Sequence, residues 1–194
     1  MMLRLDRRGR IWISAISLLF SVACKSAPKP LAQATPPPPV IYAIDSYPNL
    51  TARAKELETA LASKDYAKVL DLTYPKVVEV GGGREKLLAA MTNEMKTMEA
   101  EGVELLSSTA ASPSQFVSDA SGIYAIVPVT TKIKATGGIF QTEGSLIGIS
   151  TDGGQNWTFV DATGKDQTEL KKILPNLDKL NLPPEKPPVK IATN

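Results

Sequence analysis

The sequence predicts an α+β domain, because two kinds of hydrophobic periodicity follow one another along the chain. Between residues 51 and 101, apolar residues recur at the spacings of three and four that are typical of helices. After Gly102, apolar and polar residues alternate, which indicates half-buried β-strands. The turn signals Gly137-Gly138 and Asp152-Gly153 divide this second part into strands of an antiparallel meander. A run of helices followed by a curved sheet is typical of an α+β domain.

The helical half begins with two short helices that form a hairpin. Thr51 can cap the first helix, which continues through Leu61, and Asp65 can cap the second. Pro75 is expected to end the second helix. The valine-rich run 77–80, followed by three glycines, predicts a short strand that enters a turn.

A long amphipathic helix is predicted from Arg84 to about Glu101, with Gly102 as its stop. One stripe of this helix carries Leu87, Leu88, Met91, Met95 and Met98. Methionines can line an adaptable binding groove, but packing in a core is their more common role. We therefore expect the stripe to face the core.

The sheet half is predicted to contain five strands and a final helix. The strands are expected at 103–105, 115–117, 122–134, 139–150 and 157–160. Side chains alternate along the third strand, so Ile123 and Ala125 share one face while Tyr124 and Ile126 share the other. Asp166 can cap the last helix.

Two proline-rich segments bound this domain, which we place at residues 50–180. The first, 24–49, contains four consecutive prolines and predicts an extended linker. The second, 181–194, contains four prolines and predicts a loose, disordered tail.

The N-terminal segment, 1–23, has the pattern of a cleaved signal peptide. Four arginines precede an apolar run, 11–22, that is shorter than the ~20 residues a bilayer requires. The end of this run, Ser21-Val22-Ala23-Cys24, resembles a lipobox, which implies a lipid on Cys24. Lys25 after the cysteine implies sorting to the outer membrane, facing the periplasm. An ordinary signal peptidase could also cut before Cys24.

Charge and composition exclude several functions. The first 23 residues carry four Arg and one Asp, so the remaining chain has a net charge of −1, against +2 for the whole. This charge does not favour binding to nucleic acid. There is no histidine and a single cysteine, so no disulfide can form within the chain, and we expect neither a metal nor a cofactor.

The order of elements resembles the nuclear-transport-factor-two-like superfamily, which includes the SnoaL-like proteins. The resemblance covers roughly residues 51–160 and includes the segment 74–85, YPKVVEVGGGRE. It implies a cone-shaped fold, often dimeric through its sheet, with a hollow interior for small apolar or mixed ligands. Enzymes of the superfamily use cavity carboxylates, tyrosines or histidines, which makes Glu143 and Tyr124 the candidate acid and base here. A surface glutamate and a packed tyrosine are the more common roles of such residues.

A second motif lies between the last two strands. Ser150, Asp152, Gly154 and Trp157 resemble an Asp-box, with Asn156 where threonine is usual. In sialidase-like propellers this motif closes hairpins, and one copy cannot build a propeller. We therefore expect a structural lock on the hairpin and no sialidase activity.

These observations predict a lipid-anchored envelope protein with a non-enzymatic domain that binds a small ligand or a periplasmic partner. One alternative is a small enzyme similar to ketosteroid isomerases or SnoaL-like proteins, with a cavity acid. The other is a structural scaffold of the envelope.

Overall fold

The structure, a computed structural model, describes residues 2–5, 11–14 and 47–192. Helices in the first half lead into a curled antiparallel half-barrel sheet, with a further helix after it. The α+β class predicted from the two periodicities is therefore confirmed.

The described residues form five α-helices and one short 3-10 helix. They are α1 (Pro48–Ala62), α2 (Tyr66–Asp71), α3 (Pro75–Val80), α4 (Arg84–Ala100), α5 (Gln167–Ile173) and the 3-10 helix Leu177–Lys179. Asp65 caps α2 and Asp166 caps α5, as predicted, each by accepting a backbone N–H bond. The cap predicted at Thr51 is wrong, because α1 already begins at Pro48, and proline suits a first helical turn that needs no N–H donor.

The strand predicted over 77–80 is also wrong, since these residues belong to α3. Pro75 starts this helix rather than only ending the preceding one. The neighbouring sheet edge is taken by the chain just before α3: Phe159 N–H donates to Leu72 O at 2.8 Å, and Tyr74 N–H donates to Phe159 O at 2.9 Å. The valines therefore do not pair with the sheet, and Val77 packs against it from a helix.

Six strands form the main sheet. They are β3 (Glu104–Ala110), β4 (Gln115–Asp119), β5 (Gly122–Ala135), β6 (Gly138–Ser150), β7 (Thr158–Asp161) and β8 (Val189–Ala192). The long hairpin β5–β6 lies at the centre, β3 and β4 both pair with β5, and β7 and β8 both pair with β6. Near the N-terminus, β1 (Met2–Leu5) and β2 (Ile11–Ser14) form a separate antiparallel pair.

Each face of the sheet carries its own core. The helical-face core packs α1 and α2 against alternate residues of the strands. Its buried members are Leu50, Ala54, Leu57, Ala60, Val69, Leu72, Phe116, Ile123, Ala125, Val127, Trp157 and Phe159. The C-terminal-face core packs α5 and the 3-10 helix against the other alternate residues. Its buried members are Val117, Tyr124, Ile126, Ile147, Ile149, Val160, Ala162, Leu170, Leu174, Leu177 and Leu180.

The methionine stripe of α4 lies at the margin of this packing. No residue of α4 is fully buried, and the five stripe residues are half-buried. Met91 packs against the helical-face core. The expectation that the whole stripe belongs to the core therefore holds only in part.

Most of the predictions for the two ends of the chain concern residues outside the described ranges. Cys24 and the linker up to residue 46 lie there. At the other end, β8 lies within the segment 181–194 that the sequence predicts as a loose tail, and it pairs with the β6 residues Ile139, Phe140 and Gln141. In the described ranges, no helix is both long and apolar enough to cross a membrane.

Candidate functional site

A cavity of about 530 Å³ lies on the same face of the sheet as α5. Its walls come from residues 128–130 of β5, 143–145 of β6, the loop 162–165 after β7, and the segment 181–186, with Ser114 beside them. Small-molecule sites typically measure about 300–1,000 Å³. The cavity is therefore large enough for a small ligand.

The cavity opens where two strands leave a gap along the edge of β6. β7 pairs with β6 as far as Leu146, opposite Asp161, and β8 takes up the pairing only at Gln141, opposite Val189. Residues 142–145 lie between these two strands. Burial falls along the same stretch, from Ile147 in the C-terminal-face core to an exposed Glu143 at the cavity rim.

Ser145 is the buried polar residue of the cavity. It is 5% exposed, and in the described part of the chain its Oγ has no hydrogen-bond partner. Its backbone is satisfied, because Ala162 N–H donates to Ser145 O at 2.9 Å. A buried polar group without a partner costs about 1–3 kcal/mol. The unpaired hydroxyl therefore marks a place where a bound molecule would gain a hydrogen bond.

The segment 181–186, here called the strap, closes one side of the cavity and is held at both ends. At its start, Asn181 N–H donates to Gln115 Oε1 at 3.0 Å. At its end, Lys186 Nζ forms an ion pair with Glu143 Oε2 at 2.7 Å. Pro183 and Pro184 between them restrict the backbone, so the strap is a semi-rigid wall.

The charges around the cavity balance one another. Four charged residues line it, Glu143, Lys165, Glu185 and Lys186, and their formal charges sum to zero. Glu143 pairs with Lys186, and Lys165 Nζ lies 3.9 Å from Asp161 Oδ2. The side chains of Glu143 and Lys186 are 52% and 64% exposed, so their ion pair contributes little stability.

The candidate acid and base, Glu143 and Tyr124, are not brought together. Glu143 lines the cavity and lies opposite Thr130 on β5. Tyr124 is six residues before Thr130 on the same strand, which corresponds to about 20 Å. It is buried in the C-terminal-face core, and this burial raises the pKa of its phenol. The two residues cannot exchange a proton through a direct hydrogen bond.

The Asp-box residues form a closed network in the turn between β6 and β7. Asp152 Oδ1 accepts hydrogen bonds from the backbone N–H groups of Gln155 at 3.0 Å and Asn156 at 2.9 Å. Bonds from Asn156 and from the Ser150 hydroxyl lower the pKa of Asp152 to about 2. The Ser150 hydroxyl also accepts a hydrogen bond from Gly154 N–H at 2.8 Å.

This turn is also anchored to the start of α1. Trp157 is fully buried and donates from Nε1 to Gly154 O at 3.1 Å. Asn49 Nδ2 donates to the same carbonyl at 2.5 Å, and the Tyr47 ring packs edge-on against Trp157 with centroids 5.4 Å apart. Tyr47 and Asn49 were not predicted to contribute, because the domain was expected to begin after them. Pro48 was the available signal, since proline favours the first turn of a helix.

Sequence reasoning also missed the residues that build the cavity. Ser145 stands on the face of β6 that carries Ile147 and Ile149, and a serine on an apolar face was the one signal available. Nothing local in the sequence indicates that the loop 162–165 and the strap meet beside it.

Comparisons with family models, with curated proteins and with solved structures give no match for this chain. The function therefore has to be inferred from the cavity itself. Within the described ranges, no group of three or more acidic or cysteine side chains is placed to hold a metal ion.

Proposed function

We propose that this chain is a lipid-anchored envelope protein whose folded domain binds a small ligand in the cavity beneath the strap. The main support for the ligand site is the buried Ser145 hydroxyl, which has no partner among the described residues and lies in a cavity of about 530 Å³. A hydrogen-bonding group of a ligand would satisfy this hydroxyl, and the sheet and the strap would exclude water around it.

The fold proposed for residues 50–180 is nuclear-transport-factor-two-like, of the SnoaL-like kind. Helices that precede a curled antiparallel sheet support this proposal. The ligand site differs from the hollow interior that the resemblance implies. Trp157, Phe116 and Phe159 fill the space between α1 and the sheet, and the cavity lies on the opposite face.

Ligand binding can be tested by native mass spectrometry of the full chain after gentle purification. We expect the wild-type protein to carry a discrete small molecule. Thr130→Trp places an indole in the cavity and should remove that molecule, since Thr130 lines it. Thr131→Trp is the matched control, because its side chain points to the other face of the same strand. A wild-type spectrum that contains only the mass of the chain would contradict the proposal, and the same spectrum distinguishes a monomer from a dimer.

The anchor is proposed from the sequence pattern that ends at Cys24. Cells of a diderm bacterium that express the chain can be labelled with radioactive palmitate. We expect label on the wild-type protein and its recovery with the outer membrane. Cys24→Ser should remove the label and release the protein into the periplasm. An unlabelled wild-type chain would exclude lipidation and leave the cavity proposal intact.

A further inference from the structure

We infer that the ligand is a neutral molecule with at least one hydrogen-bonding group and an apolar body. This inference rests on the proposed function of the cavity. It narrows that function to one chemical class of ligand, and three features of the site support it.

The first feature is the polar group that lacks a partner. Ser145 Oγ is a neutral hydroxyl, which can donate a hydrogen bond to a neutral ligand group or accept one from it. A charged group placed beside it would have lost its water and gained a single neutral partner. Such burial is strongly unfavourable for an ion, whereas a hydroxyl or amide group would find the bond it needs.

The second feature is the apolar character of the surrounding walls. Five apolar side chains line the cavity: Pro128, Ala162, Leu182, Pro183 and Pro184. They come from the sheet, from the loop after β7 and from the strap, so they surround the site on several sides. An apolar ligand body in contact with them would be stabilised by about 25 cal/mol for each Å² removed from water.

The third feature is that three of the four charged residues at the cavity, Glu143, Lys165 and Lys186, form ion pairs. The Lys186 ammonium is paired with Glu143, and Lys165 lies near Asp161. An anionic ligand would have to compete with Glu143 for Lys186, and a cationic ligand would have to compete with Lys186 for Glu143. Either competition breaks the ion pair at the end of the strap, which is exposed, so this feature adds only a small preference for a neutral ligand. A neutral ligand leaves the pair intact and the strap closed over it.

The test compares three small probes of one shape by NMR titration of the full chain carrying Cys24→Ser. The probes are cyclohexanol, cyclohexanecarboxylate and cyclohexylammonium. We expect cyclohexanol to shift the amide signals of residues 143–145 and 162–165, with a Kd at least about tenfold lower than that of either ion. Ser145→Ala should raise the Kd for cyclohexanol roughly fivefold to tenfold, which is the change expected from the loss of one hydrogen bond. Ser118→Ala, in β4 and outside the cavity, should not change it.

The results can distinguish a wrong ligand class from a wrong proposed function. If either ion binds in the cavity more tightly than cyclohexanol, the neutral class is wrong and the cavity function stands. Equal binding of cyclohexanol to wild type and Ser145→Ala would likewise overturn the role given to the hydroxyl. If none of the probes shifts the cavity amides, both this inference and the proposed function are contradicted.

Discussion

Replacing Ser145 with alanine should make the protein without ligand more stable. Most substitutions in a core reduce stability, so the expected sign is unusual. It follows from the Ser145 hydroxyl, which is buried and has no partner in the described part of the chain. Removing the oxygen removes the cost of keeping it out of water and leaves no other group unpaired.

The expected change in the free energy of unfolding can be compared with the change for a second buried serine on the same strand. Ser145 and Ser150 both lie on β6 and are 5% and 1% exposed. Ser145→Ala should add about 1 kcal/mol to the free energy of unfolding, the lower end of the cost of an unsatisfied group. Ser150→Ala should subtract about 1–3 kcal/mol, because it leaves the buried N–H of Gly154 unpaired and removes the bond to Asp152.

Urea unfolding followed by circular dichroism measures both variants on one scale. We expect the midpoint to rise for Ser145→Ala and to fall for Ser150→Ala, with unchanged slopes. The melting temperatures should move in the same directions, by about 2–4 °C for each kcal/mol. A midpoint for Ser145→Ala that stays at or below that of wild type would refute the reasoning, because it would show that the hydroxyl is already satisfied.

Two further predictions concern the Asp-box turn. Gly154→Ala should reduce the free energy of unfolding by about 2–3 kcal/mol, because the φ of Gly154 is +91° and the Tyr47 ring occupies the place of the new methyl group. Gly153→Ala is the control, because Gly153 has a φ of +75° but open space around it, and it should reduce the free energy of unfolding by only about 1 kcal/mol. Equal losses in urea unfolding would contradict the role of Tyr47. The folded state lowers the pKa of Asp152 from 3.8 to about 2, so its contribution to stability is full above pH 3.8 and is lost as the pH falls through about 2. Asp152→Asn should make the melting temperature less dependent on pH between these two values. If the melting temperature of the variant falls with acid as steeply as that of wild type, Asp152 is not the group responsible for the fall.

The parts of the fold that sequence could predict are those set by local patterns. The long hairpin was predicted to within one residue at each strand end, since alternation and the Gly137-Gly138 turn fix its register. The caps at Asp65 and Asp166 were predicted because the bond each forms is local. The error over 77–80 arose where strand propensity was opposed by a tertiary contact, the pairing of residues 72–74 with β7.

The candidate site was predictable only in its separate pieces. The Asp-box turn is encoded within eight consecutive residues, so its hydrogen bonds could be inferred from the sequence. The cavity instead joins residues from five places along the chain, and no short pattern links Ser145 to the strap. Glu143 could be placed on a sheet face by alternation, but its partner Lys186 could not, because that contact spans 43 positions of the sequence.

The prolines in the strap and directly after it explain why a cavity exists at this position. The edge of β6 between Leu146 and Gln141 has room for another strand, and the chain after the 3-10 helix passes beside it. A strand there would have to donate backbone N–H groups to β6, and proline has none. Four prolines occupy residues 183, 184, 187 and 188, and regular pairing begins at Val189, the first residue after them. The strap therefore passes beside the sheet without closing the ladder, and the space it leaves contains the Ser145 hydroxyl, which no group in the described part of the chain satisfies.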